Sequence, residues 1–106
     1  MSAAEDLRPA PRPILAIDTA TATAVVALGR PDGSLRAEAS WQAGHRHGEE
    51  LLTQLDGLLS RQGLALTQVG AIVAGTGPGA FTGLRVGLAT AKGLAHALAC
   101  PLVAIS

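Results

Sequence analysis

The chain has 106 residues, 48% hydrophobic and 15% charged, which is enough apolar side chain for one packed domain and excludes a disordered chain. Its formal net charge is zero, so composition supplies no basic surplus for gripping a nucleic acid unaided. A single cysteine excludes an internal disulfide or a cysteine metal pair, and no apolar run approaches the roughly 20 residues of a membrane span.

Residues 1–13 carry three prolines and mixed charge, and read as a tail without regular structure. Glu5 and Asp6, with no apolar core beside them, do not make a signal peptide, and a reducing cytoplasmic setting fits. Ile14 to Thr19 reads as a buried strand ending on Asp18-Thr19, and Thr23 to Gly29 as a second, β-branched strand. Arg30-Pro31-Asp32-Gly33-Ser34 has the composition of a hairpin turn. Leu35 to Trp41 alternates Leu35, Ala37, Ala39 and Trp41 with Arg36, Glu38 and Ser40, as a strand with one wet face does. Gly48 to Gln62 reads as a helix, with Glu49 and Glu50 in its first turn, Arg61 in its last and Gly63 just beyond.

Val69 to Gly75 is apolar and too short for a helix, which predicts a buried strand. Thr82 to Leu98 is rich in Ala and Leu and free of proline, which predicts a helix, and Leu102 to Ile105 closes the order as a strand. Cys100 lies in an apolar run before Pro101 and reads as a buried spacer. Three antiparallel strands followed by helix–strand–helix–strand give an α/β domain with a mixed sheet and helices over it. The charge is uneven: every acid lies at or before Asp56, while Arg61, Arg85 and Lys92 follow, leaving the second part at net +3. That fits an acidic partner or simply a solvated surface.

Between strand and helix lies Gly75-Thr76-Gly77-Pro78-Gly79-Ala80-Phe81-Thr82-Gly83-Leu84-Arg85. Such a turn frees backbone N–H groups at a helix start, where an anion or another backbone can approach. It is not a Walker A loop, because no Lys-Ser or Lys-Thr follows its last glycine. Gly75, Gly77 and Ala80 fit the loose dinucleotide pattern, but no acid follows Asp56 to hold a ribose. A tight packing joint and a functional turn both remain open on the loop alone.

The two helices carry the second signal. Gly83, Gly87 and Ala91 share one face at helical spacing, and each glycine inside a helix costs about 1 kcal/mol against alanine. A stripe of small residues offsets that cost when another backbone packs against it. Leu51, Leu52, Leu55, Leu58 and Leu59 form a wide stripe on a helix only about 22 Å long, generous for one contact surface. Core packing accounts for most of it, and the remainder is the candidate for a partner.

The string GTGPGAFTGLRVG, the opening ILAIDTATATAVVAL and the helix HRHGEELLTQLDGLL occur in the order found in the TsaB (YeaZ) family of the glycoprotease-like superfamily, which the chain resembles over residues 14–106. The resemblance implies one lobe of an actin-like ATPase, or ribonuclease H-like, fold, with the second lobe not in this chain. It implies work with a TsaD-like transferase in making N6-threonylcarbamoyladenosine on transfer RNA, with a TsaE-like ATPase joining, homodimer formation, and transfer RNA reached only through the complex. It implies no cofactor in this chain, with ATP and Mg²⁺ belonging to the complex, no catalytic residue and no membrane contact. The interface would use Leu51, Leu55, Leu58, Leu59, Phe81, Gly83, Leu84, Arg85, Gly87, Leu88 and Ala91. On this reading Leu55→Glu and Gly87→Leu abolish association while the fold survives.

An enzymatic alternative is an actin-like nucleotide hydrolase or a metal-dependent glycoprotease. In actin-like ATPases an acid at the position of Asp18 helps organise Mg²⁺ and phosphate, which makes Asp18, Gly77 and Gly79 candidate nucleotide or anion contacts. Against this, Ala20 stands where a glycine would let phosphate approach. Asp18 bonded to the hydroxyls of Thr19, Thr21 or Thr23 is the plainer reading. His45 and His47, beside Glu49 and Glu50, have ligand chemistry. The metal-binding pair of the TsaD relative is absent, however, and the expectation is no metal. No HExxH, G-x-S-x-G or Cys–His–Asn set supports protease chemistry.

Overall fold

The computed structural model describes residues 12–19, 22–42, 47–75 and 81–105, with residues 47–49 and 81–85 described in their backbone. Three strands come first: β1 (Ile14–Asp18), β2 (Thr23–Gly29) and β3 (Leu35–Gln42). Helix α1 (His47–Arg61), a short 3-10 turn (Leu66–Gln68), β4 (Ala71–Gly75), helix α2 (Phe81–Leu98) and β5 (Leu102–Ile105) follow. The expected elements are all present, with ends moved by one residue in most cases. The exception is β4, where Val69 and Gly70 lie ahead of the strand because the unforeseen 3-10 turn precedes them. Gln68 stabilises that turn by accepting the Ala65 N–H on its Oε1 at 2.7 Å.

The sheet order is β3-β2-β1-β4-β5. The first three strands pair antiparallel, and β4 and β5 add parallel. Helix α1 rests on β2 and β3, α2 rests on β4, β1 and β5, and the helices touch each other, so both cover one face. Two rows of side chains cross the sheet beneath them. Ala37, Leu28, Leu15, Ile72 and Leu102 are register neighbours in the first row, and Ala39, Val26, Ile17 and Ala74 in the second. Leu15, Leu28, Ile72 and Val26 are fully buried there. Period-2 alternation puts these rows under the helices and leaves Ile14, Ala16, Val25 and Val73 half-buried on the other face.

The expected tail spans residues 1–13. Residues 1–11 lie outside the described residues, but Pro13 is buried and its carbonyl accepts the Gly70 N–H at 2.9 Å. Arg12 packs over Gly70, where an added Cβ would lie 2.6 Å from the Arg12 Cβ.

The β2–β3 turn closes as its composition predicts. Gly33 takes φ 91°, and the Ser34 hydroxyl and N–H donate to Asp32 Oδ1 at 2.6 and 2.8 Å. These bonds, the hydroxyl foremost, hold the Asp32 carboxyl below its ordinary 3.8. Beyond the turn, Leu28 faces Ala37 while Gly29 faces Leu35, so Arg36 is the extra residue of a β-bulge.

Both helices end in the same six-residue closure, one with glycine and one without. After α1, Gly63 takes φ 68°, and Leu64 N–H reaches the Leu59 carbonyl at 2.9 Å. After α2, Cys100 N–H reaches the Ala95 carbonyl at 3.0 Å, and the left-handed position falls to Ala99 at φ 52°. An alanine Cβ is crowded there, so Ala99→Gly is expected to raise stability by about 1 kcal/mol in a denaturant titration. An unchanged or lowered midpoint would contradict the cap geometry.

Candidate functional site

The parallel pairing of β1 with β4 sets the ends of both strands side by side, Ile17 opposite Ala74, so Asp18 and Gly75 meet at the edge where the glycine loop begins. The exposed Asp18 carboxylate lies flat over Gly75: a Cβ on that glycine would stand 2.9 Å from Asp18 Cγ and 3.0 Å from Oδ2. Thr19 turns the other way and is 1% exposed. Its Oγ1 sits in the notch that Gly87 leaves on α2, closer than any Cβ at residue 87 would tolerate. Gly77, Gly79, Ala20 and His45 lie outside the described residues, as does the side chain of His47.

The notch at Gly87 is therefore filled by Thr19 of the same chain, where a partner backbone was expected. The leucine stripe meets a similar fate. Leu51, Leu55, Leu58 and Leu59 are 1–3% exposed and belong to the chain's own core, with Ala91 at 0%. The physical reason is that α1 meets two surfaces, the sheet below and α2 beside it, so a wide stripe is fully covered by its own domain. Of these leucines Leu52 alone faces out, 56% exposed. Leu88 is half-buried. Phe81, Gly83, Leu84 and Arg85 form the start of α2, and their side chains lie outside the description.

At the opposite end of the sheet, Arg30, Pro31, Asp32 and Arg36 line an open cleft of about 450 Å³. Arg30 Nη1 donates to the Leu35 carbonyl at 3.0 Å and to Ser34 Oγ at 3.3 Å. Arg36 donates from Nη2 to the Gln62 carbonyl at 3.2 Å and from Nε to Gln62 Oε1 at 3.3 Å. Sequence reading missed this group, because alternation along β3 assigns Arg36 to the wet face and carries no sign of the bulge. Among the described residues, no three His, Cys, Asp or Glu side chains gather as metal ligands, and no helix is long and apolar enough to cross a membrane.

Residues 41–106 match the family model described as TsaD: tRNA N6-adenosine threonylcarbamoyltransferase. The tRNA threonylcarbamoyladenosine biosynthesis protein TsaB of Escherichia coli is 39% identical over 93 residues, covering 88% of this chain and 39% of that protein. A tRNA N6-adenosine threonylcarbamoyltransferase of Sphingopyxis alaskensis is 40% identical over 77 residues, 73% of this chain and 22% of that one. YeaZ of Pseudomonas aeruginosa superposes with a TM-score of 0.82 at 39% identity, covering 90% of this chain and 44% of its own. The chain thus spans about two fifths of the length of these TsaB and YeaZ relatives. The mixed five-stranded sheet with two helices on one face is an actin-like, ribonuclease H-like lobe. A family model over more than half of the chain, relatives at 39% identity and the YeaZ superposition together place it: the chain belongs to the TsaB (YeaZ) family, kin to the TsaD threonylcarbamoyltransferases.

Proposed function

We propose that the chain acts in making N6-threonylcarbamoyladenosine on transfer RNA, as a non-catalytic scaffold that holds a TsaD-like transferase. The observation that carries this reading is the 39% identity to TsaB across 88% of the chain. A TsaE-like ATPase joins the assembly, ATP and Mg²⁺ are used within it, and the same face serves self-association. Burial of the inner stripe narrows that face to the exposed Leu52 on α1, Leu88 on α2, and the start of α2 with Phe81, Gly83, Leu84 and Arg85. These positions lie on two helices in contact, so one partner surface spans them. A soluble, cytoplasmic setting goes with this role.

The test is capture of the TsaD-like protein from the same genome by the tagged chain. Capture is expected, with Leu52→Glu and Arg85→Glu each weakening it at least about tenfold. Leu52→Glu should leave thermal stability within about 0.5 kcal/mol, because the site is exposed. Failure of the unaltered chain to capture the transferase would falsify the scaffold reading.

One observation favours the nucleotide-hydrolase alternative: Asp18 lies against the backbone of Gly75 at the mouth of the glycine loop. Titration with ATP and Mg²⁺ separates the readings. Submillimolar binding by this chain, lost in Asp18→Asn, favours the hydrolase.

A further inference from the structure

The sheet is electrically lopsided although the chain is neutral. Ile14 pairs with both Gly29 and Ala71, and Gly29 pairs with Leu35, so β1, β3 and β4 begin where β2 ends. Arg12, Arg30 and Arg36 flank that end. Helix α1 also finishes there, because Arg36 reaches Gln62 next to Arg61. Half of the chain's 8 basic residues thus gather at one end of the sheet. The other end carries Asp18, and α1 begins with Glu50 in its first turn.

The bonds described for Arg30 and Arg36 go to neutral acceptors: a hydroxyl, a side-chain amide and main-chain carbonyls. Arg12 lies along Gly70, and Arg61 folds back over Gly57, where an added Cβ would be 3.3 Å from Nη1. All four arginines are exposed. Three acids must be set against them: Asp56 precedes the Gly57 that Arg61 covers, Asp32, whose carboxyl the Ser34 bonds hold low, is near enough to Arg30 for their attraction to add to that, and Glu38 is the third. Asp32 shares the cleft and already accepts two bonds from Ser34, and Glu38 lies further along β3 opposite Ala27. Arg30 and Arg36 are already held in place, so less side-chain freedom is lost when an anion arrives. A guanidinium tied by one or two of its N–H groups keeps others for a second acceptor, and its planar fork matches phosphate.

We propose that this arginine end of the sheet contacts the phosphodiester backbone of RNA, with Arg30 and Arg36 gripping phosphate from the two sides of their cleft and Arg12 and Arg61 extending the positive field. The choice of RNA rests on the functional reading above, in which transfer RNA is the substrate. It revises the expectation that transfer RNA is reached only through the complex. Zero net charge does not prevent such a contact, since only the local field within about 10 Å matters at ordinary salt.

The probe is an unmodified, fluorescently labelled transfer RNA transcript, titrated with the chain by anisotropy between about 50 and 200 mM salt. The expected result is salt-dependent binding that weakens on the order of tenfold in the Arg30→Ala/Arg36→Ala double variant. The slope of log affinity against log salt should flatten by roughly 2, one for each lost phosphate contact. Asp32→Asn should tighten binding, a change that loss of folding cannot mimic. RNA binding that is absent at the lowest salt, unchanged in the double variant, or matched by a polyglutamate peptide overturns the proposal. Capture of the transferase by the double variant is read in parallel, so failure of the RNA contact is distinguishable from failure of the scaffold role.

Discussion

Glutamate in place of Leu55 is expected to unfold the chain rather than free it from a partner. Leu55 is 3% exposed and sits in one cluster with Leu51, Leu58, Leu59, Val26 and Leu28. Losing its contacts costs about 2–5 kcal/mol by analogy with leucine truncations. A carboxylate in that cluster has no hydrogen-bond donor of its own, so it must protonate or draw in water at further cost. The sum is comparable to the 5–15 kcal/mol that typically holds a domain together. Trp41, the single tryptophan, packs against this core from β3 and reports the transition by fluorescence. Leu52→Glu, three positions earlier and on the outer side, should melt as the unaltered chain does. A Leu55→Glu protein with a native melting curve would show that the stripe is not core.

Leucine at residue 87 is the second large effect, and it acts by steric overlap instead of charge. The first added atom already collides with Thr19 Oγ1. Glycine-to-leucine in a helix would otherwise gain nearly 1 kcal/mol from propensity. The collision wins, because Thr19 is 1% exposed and β-branched, with few rotamers to move into. Overpacking costs about 1–3 kcal/mol for small additions, so Gly87→Ala should fall in that range and Gly87→Leu at or beyond its top. Thr19→Ala should recover part of the Gly87→Ala loss, giving a coupling of about 1 kcal/mol in a double-mutant cycle measured by urea titration. Strict additivity of the two changes would mean that residues 19 and 87 do not share the notch. Leu55→Glu and Gly87→Leu therefore report on folding and not on association, since both strike the fold first. Leu52→Glu and Arg85→Glu are the variants suited to the partner face.

The local parts were legible in the residues alone. Alternation in Ala37–Trp41, the Pro31-Asp32-Gly33 turn, the leucine spacing of α1 and the glycine at residue 63 each act within a few neighbouring residues, and the structure shows each of them, whereas Leu35, expected on the covered face, is 56% exposed because the bulge at Arg36 breaks the alternation ahead of Ala37. The motif order also carried the family and its lobe fold. What each surface meets depends on how the elements assemble. Periodicity says which residues share a helix face, but not whether that face touches one neighbour or two, so Leu51, Leu55, Leu58 and Leu59 looked surplus and are core. A glycine notch announces close approach without naming the visitor, and Thr19 arrives from a distant strand end. Arg36 joins Arg30 at their cleft because one extra residue bulges β3, and Ala99 takes a glycine's conformation because the chain must turn into β5. Composition sums charge over the whole chain, whereas the fold sorts it in space, and a neutral sequence thereby acquires an arginine end.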